Sequence, residues 1–130
     1  MIVGGLKPQW VAAARAKGAE PISAEIAVTD KAIHHIFRDA KRHQLELDWF
    51  RALPVHLRNP DLVLLDTTHE TPAMILLIDL PGREAKLVVH VNYRLKKEGI
   101  LNVVETGRVI NRDDIPAMLG IGMQIIEGTV

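Results

Sequence analysis

AKLVVHVNYRLKKEGILNVVETGRV, residues 85–109, reads as two strands of an antiparallel sheet joined by a charged loop. Apolar residues dominate on either side of RLKKEG at 94–99, whose charges and Gly99 supply turn chemistry. The stretch also carries polar groups that a buried strand does not require: His90, Asn92, Asn102, Thr106 and Arg108. Strict alternation puts Leu87, Val89, Val91 and Tyr93 on one face of the first strand, and Val88, His90 and Asn92 on the other. In the second strand Asn102, Val104, Thr106 and Arg108 share a face, against Leu101, Val103, Glu105 and Val109. Antiparallel pairing then brings His90 and Asn92 beside Asn102 and Thr106, with Arg108 close by.

Two more strand-like runs precede this pair, DLVLLD at 61–66 and AMILLID at 73–79. The separators THETP (68–72) and PGRE (81–84) are short, which favours an antiparallel meander. Several positions are apolar on both faces, so both sides of the sheet are expected to be covered. Upstream the period changes. From Thr29 to His43, Ala32, Ile33, Ile36, Phe37 and Ala40 recur at helical spacing, with Thr29 as N-cap and Asp30 in the first turn. Leu47 to Leu57 is a second helical piece, broken at Pro54 because an interior proline costs about 3 kcal/mol. Asn59-Pro60 ends the helical part. Helices followed by strands predict an α+β domain over 29–115, with N-terminal helices packed on a four-stranded antiparallel sheet.

The ends are expected to lie outside that domain. Residues 1–28 read as an N-terminal arm, interrupted by Gly4-Gly5, Pro8 and Pro21, with a short helix at Trp10 to Lys17 that packs on a partner or moves. Arg112 to Leu119 is a short turn or helix around Pro116. Residues 116–130 read as a C-terminal tail whose apolar IGMQII is either an added strand or a partner-binding strip.

Composition bounds the function. The 130 residues fit one domain, and sixteen Lys plus Arg balance sixteen Asp plus Glu. A net charge of zero argues against a dedicated nucleic-acid coat or membrane-surface protein, but leaves room for a local basic site. Without cysteine there is no disulfide framework and no thiolate metal site. No apolar run approaches the ~18 residues that suggest a membrane span. The start, MIVGGLKPQW, lacks the layout of a signal peptide. These features suit the cytoplasm and no membrane partner. GxGxxG, GxxxxGK[ST] and GxSxG are absent, and no cofactor is expected.

A histidine, a hydroxyl and an arginine on one sheet face are the ingredients of metal-free phosphodiester cleavage. The histidine takes the proton of a 2′-OH, a second acid protonates the leaving oxygen, and a cation stabilises the charge on phosphorus. The first helix offers a second cluster. His34 and Arg38 are spaced i, i+4, and His35, Arg38 and Arg42 lie within about two turns. The plainer alternatives are a solvated sheet face and a solvated basic helix flank. His35, Asp39 and His43 also recur at i, i+4, i+8, but three ligands on one straight helix do not converge on one ion, so no metal is expected.

The succession TDKAIHHIFRDAK, DWFRALPVHLRNPDLVLLD, AKLVVHVNYRLK and NVVETGRVI, over about 29–115, resembles the C-terminal domain of phage Mu F-like minor head proteins. Those domains are similar to the barnase/EndoU/colicin/RelE-like nuclease group. The resemblance implies a phage- or prophage-derived, metal-free ribonuclease-like toxin or effector. It implies an RNA substrate, and phage head proteins or an antitoxin as partners, in the bacterial cytoplasm or the virion. Carried onto this chain, the catalytic groups are His35 or Arg38 on the helix, with His34 behind them, and His90, Thr106 and Arg108 on the strands. His34, Arg42, Asn92 and Asn102 are expected to bind substrate. The alternative is a non-catalytic, head-associated structural or interaction module, with copies associating through their termini.

Overall fold

The structure, a computed structural model, describes residues 1–38 and 45–129. Its elements are β1 (Ile2–Gly5), α1 (Pro8–Ala16), β2 (Glu25–Val28), α2 (Asp30–Arg38), α3 (Leu47–Arg51), α4 (Leu53–His56), β3 (Leu62–Asp66), β4 (Ala73–Leu80), β5 (Arg83–Leu95) and β6 (Gly99–Ile110). A 3₁₀ turn (Arg112–Asp114), α5 (Ile115–Gly120) and β7 (Gln124–Gly128) complete the chain. The class is α+β, but the sheet has seven strands in the order β1-β2-β6-β5-β4-β3-β7. It is mixed, because β2 runs parallel to β6 while every other pair is antiparallel. This corrects the expected four-stranded antiparallel sheet with N-terminal helices packed on it. The 3₁₀ turn and α5, after β6, also place helical structure C-terminal to the central strands.

The ends are the reason. Residues 1–28 do not form a separate arm. They contribute β1, β2 and α1, with Trp10 and Ile26 fully buried in the core. In the tail the added strand is the reading that holds: β7 pairs with β3 and closes the far edge of the sheet. IVGG and EIAV are too short to announce strands alone, and IVGG is also broken by glycine. They become strands because β6 and the main core offer backbone partners and apolar neighbours.

The two faces carry separate cores. On one, Val63, Leu65, Met74, Leu76, Leu87, Val89 and Val104 meet Trp10, Ile36, Phe50, Leu53 and Leu57 from α1 to α4 and the turn after it. On the other, Leu62, Leu64, Ile75 and Leu77 meet Ile115 and Met118 of α5, with Val88 at the margin. Pro54 sits in the first turn of α4, where its missing N–H leaves no bond unmade, so the break expected there is the short step between α3 and α4.

Two irregularities in β5 and β6 decide where the polar groups go. Pairing jumps from His90↔Val103 to Tyr93↔Leu101, and Asn92 adopts a left-handed φ of 60°. It jumps again from Val88↔Thr106 to Val89↔Val104, which leaves Glu105 as the extra residue. Each bulge shifts the alternation by one and reverses the faces beyond it. Gly107 lies just past the second bulge. A Cβ there would stand 2.8 Å from Leu87 Cδ2 and 3.0 Å from Leu45 Cδ1, so its bare backbone lets the core close beneath α2.

Candidate active site

α2 is placed by the strand before it. β2 pairs with β6 only along Asn102 to Val104, and the chain then turns into α2 with the Thr29 hydroxyl accepting from the Ala32 N–H at 3.1 Å. Ala32 and Ile36 of α2 bury into the core. Beyond Val104, β6 has no strand neighbour on that side among the described residues, so the exposed flank of α2 looks across a free sheet edge.

A cleft of about 750 Å³ lies between them. Lys31, His34, His35 and Arg38 line it from the helix, and His90, Tyr93, Glu105 and Thr106 from the sheet. The polar centre is His90, whose Nε2 is 2.7 Å from Glu105 Oε2. The contact is an ion pair when the imidazole is protonated, with Nε2 turned to the carboxylate. The Tyr93 ring stacks near His90, with centroids 6.1 Å apart, and is 46% exposed. The Thr106 hydroxyl is buried in the wall and has no hydrogen-bond partner among the described residues.

The expected site residues therefore separate. His34, His35, Arg38, His90 and Thr106 come together in one cleft. Arg108 is not in its wall. It is exposed farther along β6, opposite Lys86. Arg42, with Asp39 and His43, lies outside the described residues. Asn92 and Asn102 are committed elsewhere. Asn92 Oδ1 accepts from the Ile22 N–H at 2.8 Å, and its Nδ2 donates to the Glu20 carbonyl at 3.0 Å. Asn102 is fully buried. Its Nδ2 donates to the carbonyls of Ser23 (2.7 Å) and Glu25 (3.0 Å), and its Oδ1 accepts from the Asn92 N–H at 3.3 Å. These amides pin the segment between α1 and β2 to the β5–β6 hairpin.

Glu105 and Tyr93 are the groups that alternation misses, since it puts each on the face opposite to His90. The bulges reverse both. The signals are local: an asparagine, which tolerates left-handed φ, inside one strand run, and a glycine inside the other.

A second polar cluster lies at the far end of the sheet. Asp61, Asp79 and Glu84 bring carboxylate oxygens within 4.8 Å of one another. The cation among them is Arg112, whose guanidinium donates to Asp79 and, at 3.3 Å, to Glu84 Oε1. Glu84 is buried. Burial first, then the Asp61 carboxylate, pushes its carboxyl above the usual range, with Asp79 adding to the rise and Arg112 opposing it. A carboxyl raised in the fold loses stability as pH climbs from its unfolded value through its folded one. Glu84→Gln is therefore expected to match the native chain below that window and to exceed it above in urea midpoint. Urea titrations across the acid range check this. A variant weaker than the native chain above that window would mean that the ionised pair with Arg112 is net stabilising.

No protein-family model matches the chain, and neither does any curated protein or solved structure. Among the described residues, no helix is long and apolar enough to cross a membrane.

Proposed function

We propose that the cleft between α2 and β6 is a metal-independent endoribonuclease site. The observation that supports it is the His90–Glu105 pair at 2.7 Å, set in a cleft whose opposite wall carries His34, His35 and Arg38. A histidine held by a carboxylate is a general base of fixed tautomer, and a second imidazole across the gap is the complementary acid.

In this scheme His90 Nδ1 takes the proton of a ribose 2′-OH. The 2′ oxygen attacks the neighbouring phosphorus, and the bond to the 5′ oxygen breaks. His34 or His35 in its imidazolium form gives its proton to that leaving oxygen. The products are a 2′,3′-cyclic phosphate and a free 5′-OH. Arg38 and Lys31 balance the negative charge gathered on the phosphoryl oxygens. Tyr93 offers an exposed ring on which a base stacks. The phage or prophage origin, the toxin or effector role, and action in the bacterial cytoplasm or the virion follow from the family resemblance.

The test is cleavage of bulk RNA or tRNA in EDTA, with the new ends identified. The expected result is cyclic-phosphate ends at a rate that EDTA does not change. Intact RNA, or cleavage that stops with chelation, would overturn the proposal.

A further inference from the structure

The sheet face that carries His90 does not stop being polar at the cleft. Successive cross-strand rows on it are His90↔Val103, Val88↔Thr106 and Lys86↔Arg108. Lys86 and Arg108 are thus direct cross-strand neighbours of like charge, an arrangement that destabilises a sheet. Neither forms an ion pair among the described residues.

The acids around this row are occupied elsewhere. Glu105 holds His90, and Glu84 holds Arg112. Asp66 accepts from the Thr68 N–H at 2.9 Å, and Asp114 accepts from the Asn111 N–H at 3.1 Å. Burial first, and then the Arg108 guanidinium, push the Lys86 ammonium below the usual lysine range, against the smaller upward pull of Asp66 and Asp114. Between this row and His90 stands Thr106, with its unpartnered hydroxyl. From His90 to Lys86 is four residues along β5, or about 13 Å. That is farther than one nucleotide bound at His90 would reach.

We propose that Lys86 and Arg108 form an anion subsite for a backbone phosphate of single-stranded RNA, remote from the phosphate that is cut, with the strand running from the cleft past Thr106 across the sheet. It rests on the ribonuclease reading for the identity of the strand. A phosphate between the two cations turns a repulsive pair into a shared bidentate and point-charge interaction. Arg108 is then a binding residue and not a catalytic one.

The test uses the full chain and two probes that cannot be cleaved: a 2′-O-methyl oligonucleotide long enough to pass Lys86, and a dinucleotide of the same chemistry. Affinity is measured against salt for the native chain and for Lys86→Met combined with Arg108→Ala. The expected result is at least about tenfold weaker oligonucleotide binding, a salt slope smaller by about 0.7 for each phosphate no longer neutralised, and unchanged dinucleotide binding. Lys86→Met alone is expected to melt no lower than the native chain, because it removes a half-buried charge and a repulsion, so misfolding does not imitate the effect. Unchanged oligonucleotide binding, or equal weakening for both probes, would overturn the subsite. Failure of the nuclease reading is separate: uncut RNA with oligonucleotide binding that still depends on the pair removes the chemistry and leaves the subsite.

Discussion

His90→Ala is expected to slow RNA cleavage in EDTA by about 10²- to 10⁴-fold, the usual contribution of a positioned general base. His90 lines the cleft, with Nε2 2.7 Å from Glu105 Oε2 and the Tyr93 ring beside it. Its removal leaves no other imidazole on the sheet side of the cleft among the described residues. The fold should survive, since His90 is partly exposed and its strand keeps the pairing to Ala73 and Val103. Glu105→Gln is expected to cost less. A Gln side chain keeps a polar oxygen beside Nε2, but the charge that steadies the imidazolium is gone. Partial rescue of His90→Ala by free imidazole would separate missing chemistry from altered shape. Equal rates for native and variant chains would remove His90 from the mechanism.

Asn102→Leu is expected to lower stability by about 3 kcal/mol, and the melting temperature by on the order of 10 °C. Leucine is near in size but offers neither donor nor acceptor. The carbonyls of Ser23 and Glu25 and the N–H of Asn92 lose their partner together. The last of these sits at the bulge that turns Tyr93 to the side of His90. Asn102→Asp should do comparable damage, because a carboxylate accepts but cannot donate to two carbonyls. Thermal unfolding by circular dichroism reads the effect. A shift under about 2 °C would mean that the network does not hold the 20–25 segment to the sheet.

Those two side chains mark how far the sequence goes. The amphipathic face of α2 and its Thr29 cap are legible because period and capping are local. So are the four long strand runs of the centre. The full sheet is not. β1 and β2 are four residues each, and β2 exists through a parallel pairing with β6, far along the chain. Local propensity carries no trace of that pairing. The sequence leaves β7 undecided between strand and binding strip for the same reason: IGMQII has apolar content without a clear period.

The site is half legible on similar grounds. Residue type leads to His90, Thr106, His34, His35 and Arg38, and all five line the cleft. Face assignment fails because it assumes unbroken alternation. One extra residue at Asn92 and one at Glu105 reverse Tyr93 and Glu105 and split Asn102 from Thr106. The ion-pair partner of His90 thus falls on the wrong face.

The central claim is that His90 draws a proton from a ribose 2′-OH in the cleft beside α2. A single-stranded DNA carrying one ribonucleotide, compared with the same strand in all-deoxy form, tests it most directly, in EDTA, with native chain and His90→Ala side by side. The predicted result is a cut only after the ribonucleotide, a cyclic-phosphate end, and at least about a hundredfold loss in the variant. Cutting of the all-deoxy strand, an uncut ribonucleotide strand, or equal rates for the two chains would contradict it.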